Sequence, residues 1–316
     1  MRRPLMLGLG LAGALALAQQ TDFLHFRGPS GEFDIEHIAK LSAAQFGPGN
    51  ISVSGNPVQV FWRDKGLNLS AAALVGETAV DEQSLNPYPK AATISGSAVV
   101  TSDSEEARAY QVKLAQSLGK DPPPADPRTR RITLSSQLFT YSGDYLTGRF
   151  TMPGEFTGTL ATHGTENVVV KPKKSEIGKK PVLLLRVFDD AMEVHGVSGT
   201  IELLTLASTR ENPLRTGTIN GPVKFKYTRH STLDGKPEHE AVVNGSADRI
   251  DMDFSSPVHT ITFTGNVKVD GDNGDYVFSS SNAKTVLTLG PHDELHKIDS
   301  EGSPIKTNVK PVGGGR

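Results

Sequence analysis

Between Ala247 and Leu289 the apolar residues recur at every second position, and this alternation confines the chain to β-structure more tightly than any other feature. Ile250, Met252 and Phe254 are separated by Asp251 and Asp253. Ile261 and Phe263 flank Thr262, and Val267 and Val269 flank Lys268. A period of two turns one face of a strand to a core and the other to water. Ser255-Ser256-Pro257, Gly265-Asn266 and Gly271-Asp272-Asn273-Gly274 interrupt the pattern and read as turns. The stretch predicts a meander of short antiparallel strands, with Ile250, Met252, Phe254, Ile261, Phe263, Val267, Val269 and Phe278 pointing inward.

The same pattern runs through most of the chain. Phe33, Ile35 and His37 alternate with Asp34 and Glu36. Gly47 to Asn50 reads as a turn. Ile51 and Val53, then Val58, Val60 and Trp62, form a strand pair split at Gly55-Asn56-Pro57. Ala92 to Thr101 adds a strand. Ser102-Asp103-Ser104-Glu105-Glu106 then opens a helix, with Ala107, Tyr110, Leu114 and Leu118 on one face. Asp121 to Pro127 carries four prolines and reads as a stiff linker. Strands resume with Ile132 and Leu134, then Leu138 with Thr140. The unbroken apolar run from Val182 predicts a strand covered on both faces. Glycine, a spacer and valine recur at Gly55, Gly221 and Gly265 without a fixed period. Roughly sixteen to twenty strands at this spacing predict an all-β fold. The expected architecture is an elongated, partly open antiparallel β-sandwich or jellyroll of quasi-repeated hairpins with one inserted helix. A closed sandwich of two domains is the competing geometry.

Arg2 and Arg3, the apolar run from Leu5 to Leu17 and Ala16-Leu17-Ala18 read as a signal peptide cleaved after Ala18. The run is shorter than the roughly 20 residues of a membrane span, the rival reading. The segments that follow are an N-terminal β segment at 19–101, the helix and proline-rich linker at 102–127, a C-terminal β segment at 128–302 and a polar tail at 303–316. Without Arg2 and Arg3 the 33 basic residues become 31 against 35 acidic ones, a net charge of −4. That balance has no electrostatic footprint for nucleic acid. With no cysteine, the chain has neither disulfides nor thiolate metal sites. Aromatics at 6% are too sparse for the girdles of a transmembrane barrel.

No motif reads as a catalytic or metal centre. His292 and His296 have the spacing of zinc ligands on a helix, but Glu294 stands one place late for the protease motif and Gly290-Pro291 precede them, so the stretch reads as a solvated turn. Asp270 to Asp275 lacks the glycine and glutamate of a calcium loop and reads as a polar hairpin. Gly196-Val197-Ser198-Gly199 lacks the spacing of a nucleophile elbow. Asp248, Asp251 and Asp253 read as a wet strand face. The basic loop from Lys171 to Lys180 is a solvated loop, with phosphates or acidic lipid as its functional alternative. The expectation is a protein that is not an enzyme and has no cofactor.

A resemblance gives this a direction. Ala-Asp-Arg-Ile-Asp-Met-Asp at Ala247 to Asp253, Phe-Thr-Gly-Asn-Val-Lys-Val at Phe263 to Val269, and Ser-Asn-Ala-Lys at Ser281 to Lys284 resemble the OstA/LptA-like family of periplasmic lipopolysaccharide-export proteins. The resemblance covers about Asn244 to Pro304 and, more loosely, Ser54 to Gly76. It implies a periplasmic lipid-binding carrier or bridge that holds acyl chains in a hydrophobic groove between two sheets, in lipopolysaccharide transport and outer membrane biogenesis. The implied partners are lipopolysaccharide or another glycolipid, and other transport components or a second copy joined by edge-strand pairing. The family supplies no lipid-binding motif, so the eight inward residues named above are the groove candidates. The alternative is a non-enzymatic structural or interaction protein of the cell envelope with a filled core. An enzyme on a β-rich scaffold, with carboxylates brought together from different strands, is a third class.

Overall fold

The computed structural model describes residues 23–28, 31–42, 49–80, 82, 87–124, 127–144, 147–170, 180–204, 213–238, 240–272, 276–289, 295–302 and 306–311. These form an all-β fold of seventeen strands with one α-helix. The strands are β1 (Phe23–Gly28), β2 (Gly31–Ser42), β3 (Gly49–Trp62), β4 (Leu67–Val80), β5 (Pro87–Asp103), β6 (Arg128–Gly143), β7 (Thr147–Met152), β8 (Phe156–Val170) and β9 (Val182–Gly196). Then come β10 (Ser198–Leu204), β11 (Leu214–Leu233), β12 (Lys236–Pro237), β13 (Ala241–Asp253), β14 (His259–Asp272), β15 (Tyr276–Leu289), β16 (Leu295–Glu301) and β17 (Lys306–Pro311). The helix α1 is Ser104–Ser117. All pairings are antiparallel, as the alternation of the sequence requires.

A row of register shifts crosses the meander near the middle of its strands. It falls between Glu36 and Ile38 in β2, Ser54 and Val58 in β3, Ser70 and Ala73 in β4, and Ser95 and Ala98 in β5. It continues between Asn220 and Val223 in β11, Ser246 and Arg249 in β13, and Thr264 and Val267 in β14. Where the disruption is larger, one line of chain counts as two strands. Thr151 of β7 faces Thr140 of β6 while Phe156 of β8 faces Ser136, so β7 and β8 share a line broken at Pro153-Gly154. Likewise, Gly196 faces Phe156 and Gly199 faces Met152, so β9 runs into β10 through Val197. β16 and β17 pair with the two halves of β15.

Bulges bend strands, and an aligned row of them folds a sheet along a line. One arm holds Gly49–Ser54, the C-terminal half of β4, β7, β10, the start of β11 and β16. The other holds β1, β8, β9, the end of β11 and β17. β6 and β11 span both arms, so β6–β7–β10–β11–β9–β8 closes a six-strand hydrogen-bonded ring.

The two arms face each other. Phe225 of β11 is aligned through Gly245 with Val269 of β14, six residues from Phe263. In a flat sheet two strand spacings, roughly 9.5 Å, and the length of those residues would part Phe225 from Phe263. Their ring centroids are 4.9 Å apart. Folding lets one apolar face bury itself, which a single open sheet cannot do.

Gly55 and Gly265, read from the sequence as breaks between strands, and Gly221, which repeats their pattern, lie on this fold line inside β3, β14 and β11. Gly265 adopts φ +73° and Asn266 φ +46°, the left-handed region that glycine enters without steric cost. The valine closing each motif (Val58, Val223, Val267) is fully buried in the crease, as is Ala98 after Gly96-Ser97 in β5. Gly49 and Asn50, expected in a turn, begin β3.

Helix α1 sits where β5 would turn into β6, yet the β5–β6 ladder runs on from Ala91↔Ser142 to Asp103↔Arg131. Asp103 caps it, its carboxylate accepting from the backbone N–H groups of Glu105 and Glu106. Ala107 packs against Gly66, and Ser104 Oγ accepts from the Arg130 N–H at 2.8 Å. Farther along the expected apolar face Tyr110 is half-buried, and Leu114 and Leu118 are exposed.

Candidate functional site

The inner face of the folded sheet is built row by row from facing residues. Toward the N-terminal end, Ile35 faces Val60 and Val53 faces Leu74. In the middle, Phe139, Phe150, Met152, Ile201, Ile219 and Ile250 are almost completely buried. At four places a phenylalanine lies over a glycine on the next strand: Phe156 over Gly196, Phe188 over Gly164, Phe225 over Gly245 and Phe278 over Gly271. A Cβ at any of these glycines would strike the ring, so the glycines let the aromatics lie flat on the sheet.

All eight residues nominated for the groove belong to this inner surface or its margin, in two distinct conditions. Ile250, Phe254, Ile261, Phe263 and Val267 are buried in the central core. Met252 and Val269 are partly buried against it, and Phe278 is half-buried nearer the C-terminal edge. The middle of the trough is therefore filled by its own side chains.

The trough opens at the C-terminal edge. Met252 faces Ile261, Ile261 faces Leu287 and Leu287 faces Ile298. Along this row burial falls from Ile261, which is buried, through Leu287, half-buried, to Ile298, which is 58% exposed. At the crease beside it apolar side chains give way to Asn282 and Thr285, a buried pair joined by a 2.9 Å hydrogen bond from Thr285 Oγ1 to Asn282 Oδ1.

A second opening lies on the other rim. Gly76 and Ala92 face each other on β4 and β5, and Ala92 faces Tyr141 on β6. These small residues leave a shallow groove of about 350 Å³ that also reaches Asn50 and Thr140. Its volume is at the lower end of the range for small-molecule sites. The Tyr141 hydroxyl is buried with no hydrogen-bond partner among the described residues, and burial pushes its pKa upward, with the Asp144 charge adding to the effect.

One polar feature on the inner face was missed by the sequence reading. Arg186 donates from Nε and Nη2 to Glu238 at 2.6 and 2.9 Å, and from Nη1 to Glu166 at 2.8 Å. Arg229 grips Asp190 in the same two-pronged way at 2.6 and 2.7 Å. The guanidinium carbons of Arg128 and Arg229 lie 5.5 and 4.8 Å from the Phe188 ring centroid. The alternation was legible, but charged residues at those positions look like a wet face until their partners are known.

The remaining motifs have ordinary places. Asp248 accepts from Asn266 Nδ2 at 2.9 Å across the fold line, and Asp251 accepts from Arg249 and Thr218. Gly196 to Gly199 is the crossing from β9 to β10. Residues 1–22, 171–179, 273–275, 290–294, 303–305 and 312–316 lie outside the described residues. With them lie the signal peptide, most of the basic loop, half of the Asp270–Asp275 turn, His292 and most of the tail. Among the described residues no three His, Asp or Glu side chains converge as metal ligands, and no helix is long and apolar enough to cross a membrane.

Compared with protein-family models, curated proteins and solved structures, the chain matches none of them.

Proposed function

We propose that this chain is a periplasmic, non-enzymatic lipid carrier or bridge, similar in role to the lipopolysaccharide-export proteins that its C-terminal strands resemble. The observation that carries this reading is the exposure gradient along Ile261, Leu287 and Ile298, by which a buried apolar face becomes an accessible one within a single row. An acyl chain of lipopolysaccharide or another glycolipid continues the core at this mouth. It gains about 25 cal/mol for each Å² of apolar surface removed from water. Unpaired edges support hand-over: β1 covers β2 only from Gly31 to Glu36, and among the described residues no strand lies beyond β16 and β17. Such edges accept a strand from a transport partner or a second copy.

Native mass spectrometry of the protein purified gently from its own cells tests the reading. The expected spectrum shows a retained glycolipid that is lost in Ile298→Asp, with the circular dichroism unchanged. A clean apo mass, with no uptake of added lipopolysaccharide or phospholipid, overturns it. A second reading, a structural or interaction protein of the envelope, is favoured by the filled centre, where Ile250 and Val267 have no exposed surface. It predicts that apo result.

A further inference from the structure

The apolar run from Val182, expected to be covered on both faces, is instead exposed at Val182, Leu183 and Leu185. Nearer the fold line the outward face of this arm is polar, and the register sets five of its residues in one line. His195 of β9 faces Lys224 of β11, and Lys224 faces Ser246 of β13. Ser246 faces Lys268 of β14, and Lys268 faces Ser281 of β15. Their strand neighbours Val194, Phe225, Ala247 and Val267 belong to the core, so the line points away from the trough. Ser246 is half-buried and the other four are exposed. Lys224 and Lys268 stand two strand spacings apart, roughly 9.5 Å, with a serine between them.

On the outward face of the other arm cations are neutralised by carboxylates. Arg149 pairs with Glu202 at 2.8 Å, Arg249 with Asp251 at 2.6 Å and Lys284 with Glu301 at 3.2 Å. On this line the lysines face serines instead, and Lys224, Lys226 and Lys268 form no ion pair among the described residues. Lys226, two residues from Lys224 on the same face, stands between Glu193 and Asn244. Carboxylates bound the line on both sides. Glu193 and Asp270 lie two residues along from His195 and Lys268. On the other side lies Asp248, which accepts from Asn266 Nδ2 at 2.9 Å.

We propose that this line binds a linear polyanion, a chain of phosphate groups laid across the strands with one phosphate over Ser246 between Lys224 and Lys268. Ammonium groups act as point charges toward phosphate oxygens, and serine hydroxyls between them donate to the same oxygens. Lys226 adds charge from the adjoining row. The flanking carboxylates select the shape of the partner. A broad anionic surface such as a bilayer would press its charge against Glu193, Asp270 and Asp248, whereas a single strand of polymer meets the line alone. No residue of the line is a phenylalanine, tyrosine or tryptophan on which bases could stack, which disfavours nucleic acid. The site is independent of lipid in the trough, since its side chains lie on the opposite face of the sheet.

The test titrates the full-length chain into long-chain polyphosphate carrying a fluorescent end label, with anisotropy as the readout. Binding is expected at low salt and should weaken steeply as salt is added, because counterions released from the polymer drive it. Lys224→Gln with Lys268→Gln should raise Kd at least about tenfold. Lys224→Arg with Lys268→Arg keeps the charge and should retain binding. Lys284→Gln with Lys297→Gln removes two lysines already paired with Glu301 and Asp299, and should leave Kd unchanged. Circular dichroism verifies that each variant folds. Absence of binding at low salt, or equal loss in the two glutamine variants, overturns the proposal. Inorganic phosphate bound as tightly as the polymer overturns it too, because the site then holds a free ion. So does tighter binding, through the same lysines, to phosphatidylglycerol vesicles or single-stranded DNA, since the partner is then a bilayer or a nucleic acid.

Discussion

At the scale of single residues, the charged groups differ in what they contribute. Arg249 and Asp251 form two short hydrogen bonds, but both side chains are well exposed, and such pairs contribute at most about 1 kcal/mol. Arg186 and Glu238 are each about three-quarters shielded and share two hydrogen bonds. The bonds from Arg186 hold the Glu238 carboxyl below its usual pKa against the opposing effect of burial, and Ser231 adds to the lowering. A depressed carboxylate pKa stabilises the fold fully above the unfolded value, roughly 4.3, and that contribution is lost as pH falls through the folded value. Glu238→Gln is expected to lower the unfolding free energy by about 1–3 kcal/mol at neutral pH, as for a lost charged hydrogen bond. In urea titrations its difference from the parent chain should shrink toward acid. A difference that stays constant to low pH would show that the charge of Glu238 plays no part.

At the scale of elements, the recurrent unit is a long strand with a defect at its middle. The defect changes which residues face inward. In β6 the inward set passes from Leu134 and Ser136 to Phe139 and Tyr141, and in β13 from Ala247 to Ile250. An odd number of extra residues reverses the face of every side chain beyond it. In β14 two extra residues keep the parity, so Ile261, Phe263 and Val267 all face inward. The helix is a separate element, held mainly at its first turn by Asp103, Ser104 and Ala107. Asp103→Ala should cost about 1 kcal/mol. The matching measurement is a urea midpoint followed by both circular dichroism and Trp62 fluorescence, since the helix packs beside the turn that follows Trp62. An unchanged midpoint would mean that the cap does not hold the helix in place.

At the scale of the molecule, folding the sheet along one line makes a core that is dense in the middle and opens toward its margins. Tolerance to charge should follow that gradient. Ile250→Asp places an unpaired carboxylate among Ile219, Phe263 and their neighbours, and is expected to cost more than about 4 kcal/mol. Ile298→Asp at the open edge should change stability by no more than about 0.5 kcal/mol. Chemical denaturation of the two variants measures the contrast. Equal losses would mean that the edge row is covered as fully as the centre. Ile261 and Phe263 are buried, so the rim is where a lipid site is probed without unfolding the chain.

The sequence alone determined the local half of this architecture. Alternation specifies a strand and its two faces because successive side chains point to opposite sides of any extended backbone. Ile250, Met252, Ile261 and Val267 were legible as inward for that reason, and so was the capped start of α1. Glycine-spacer-valine was legible as a recurrence but not as a fold line, because a bulge within a strand and a turn between strands use the same residues. Leu138 was favoured over Phe139 for want of the parity change in between. Only the tertiary structure decided which apolar residues have something opposite them. The Ile250 row meets a facing arm, whereas Leu183 and Val169 project past every neighbouring strand. Two segments equally apolar in sequence thus became a core and an exposed ribbon, since burial depends on the far ends of other strands and not on the pattern along one.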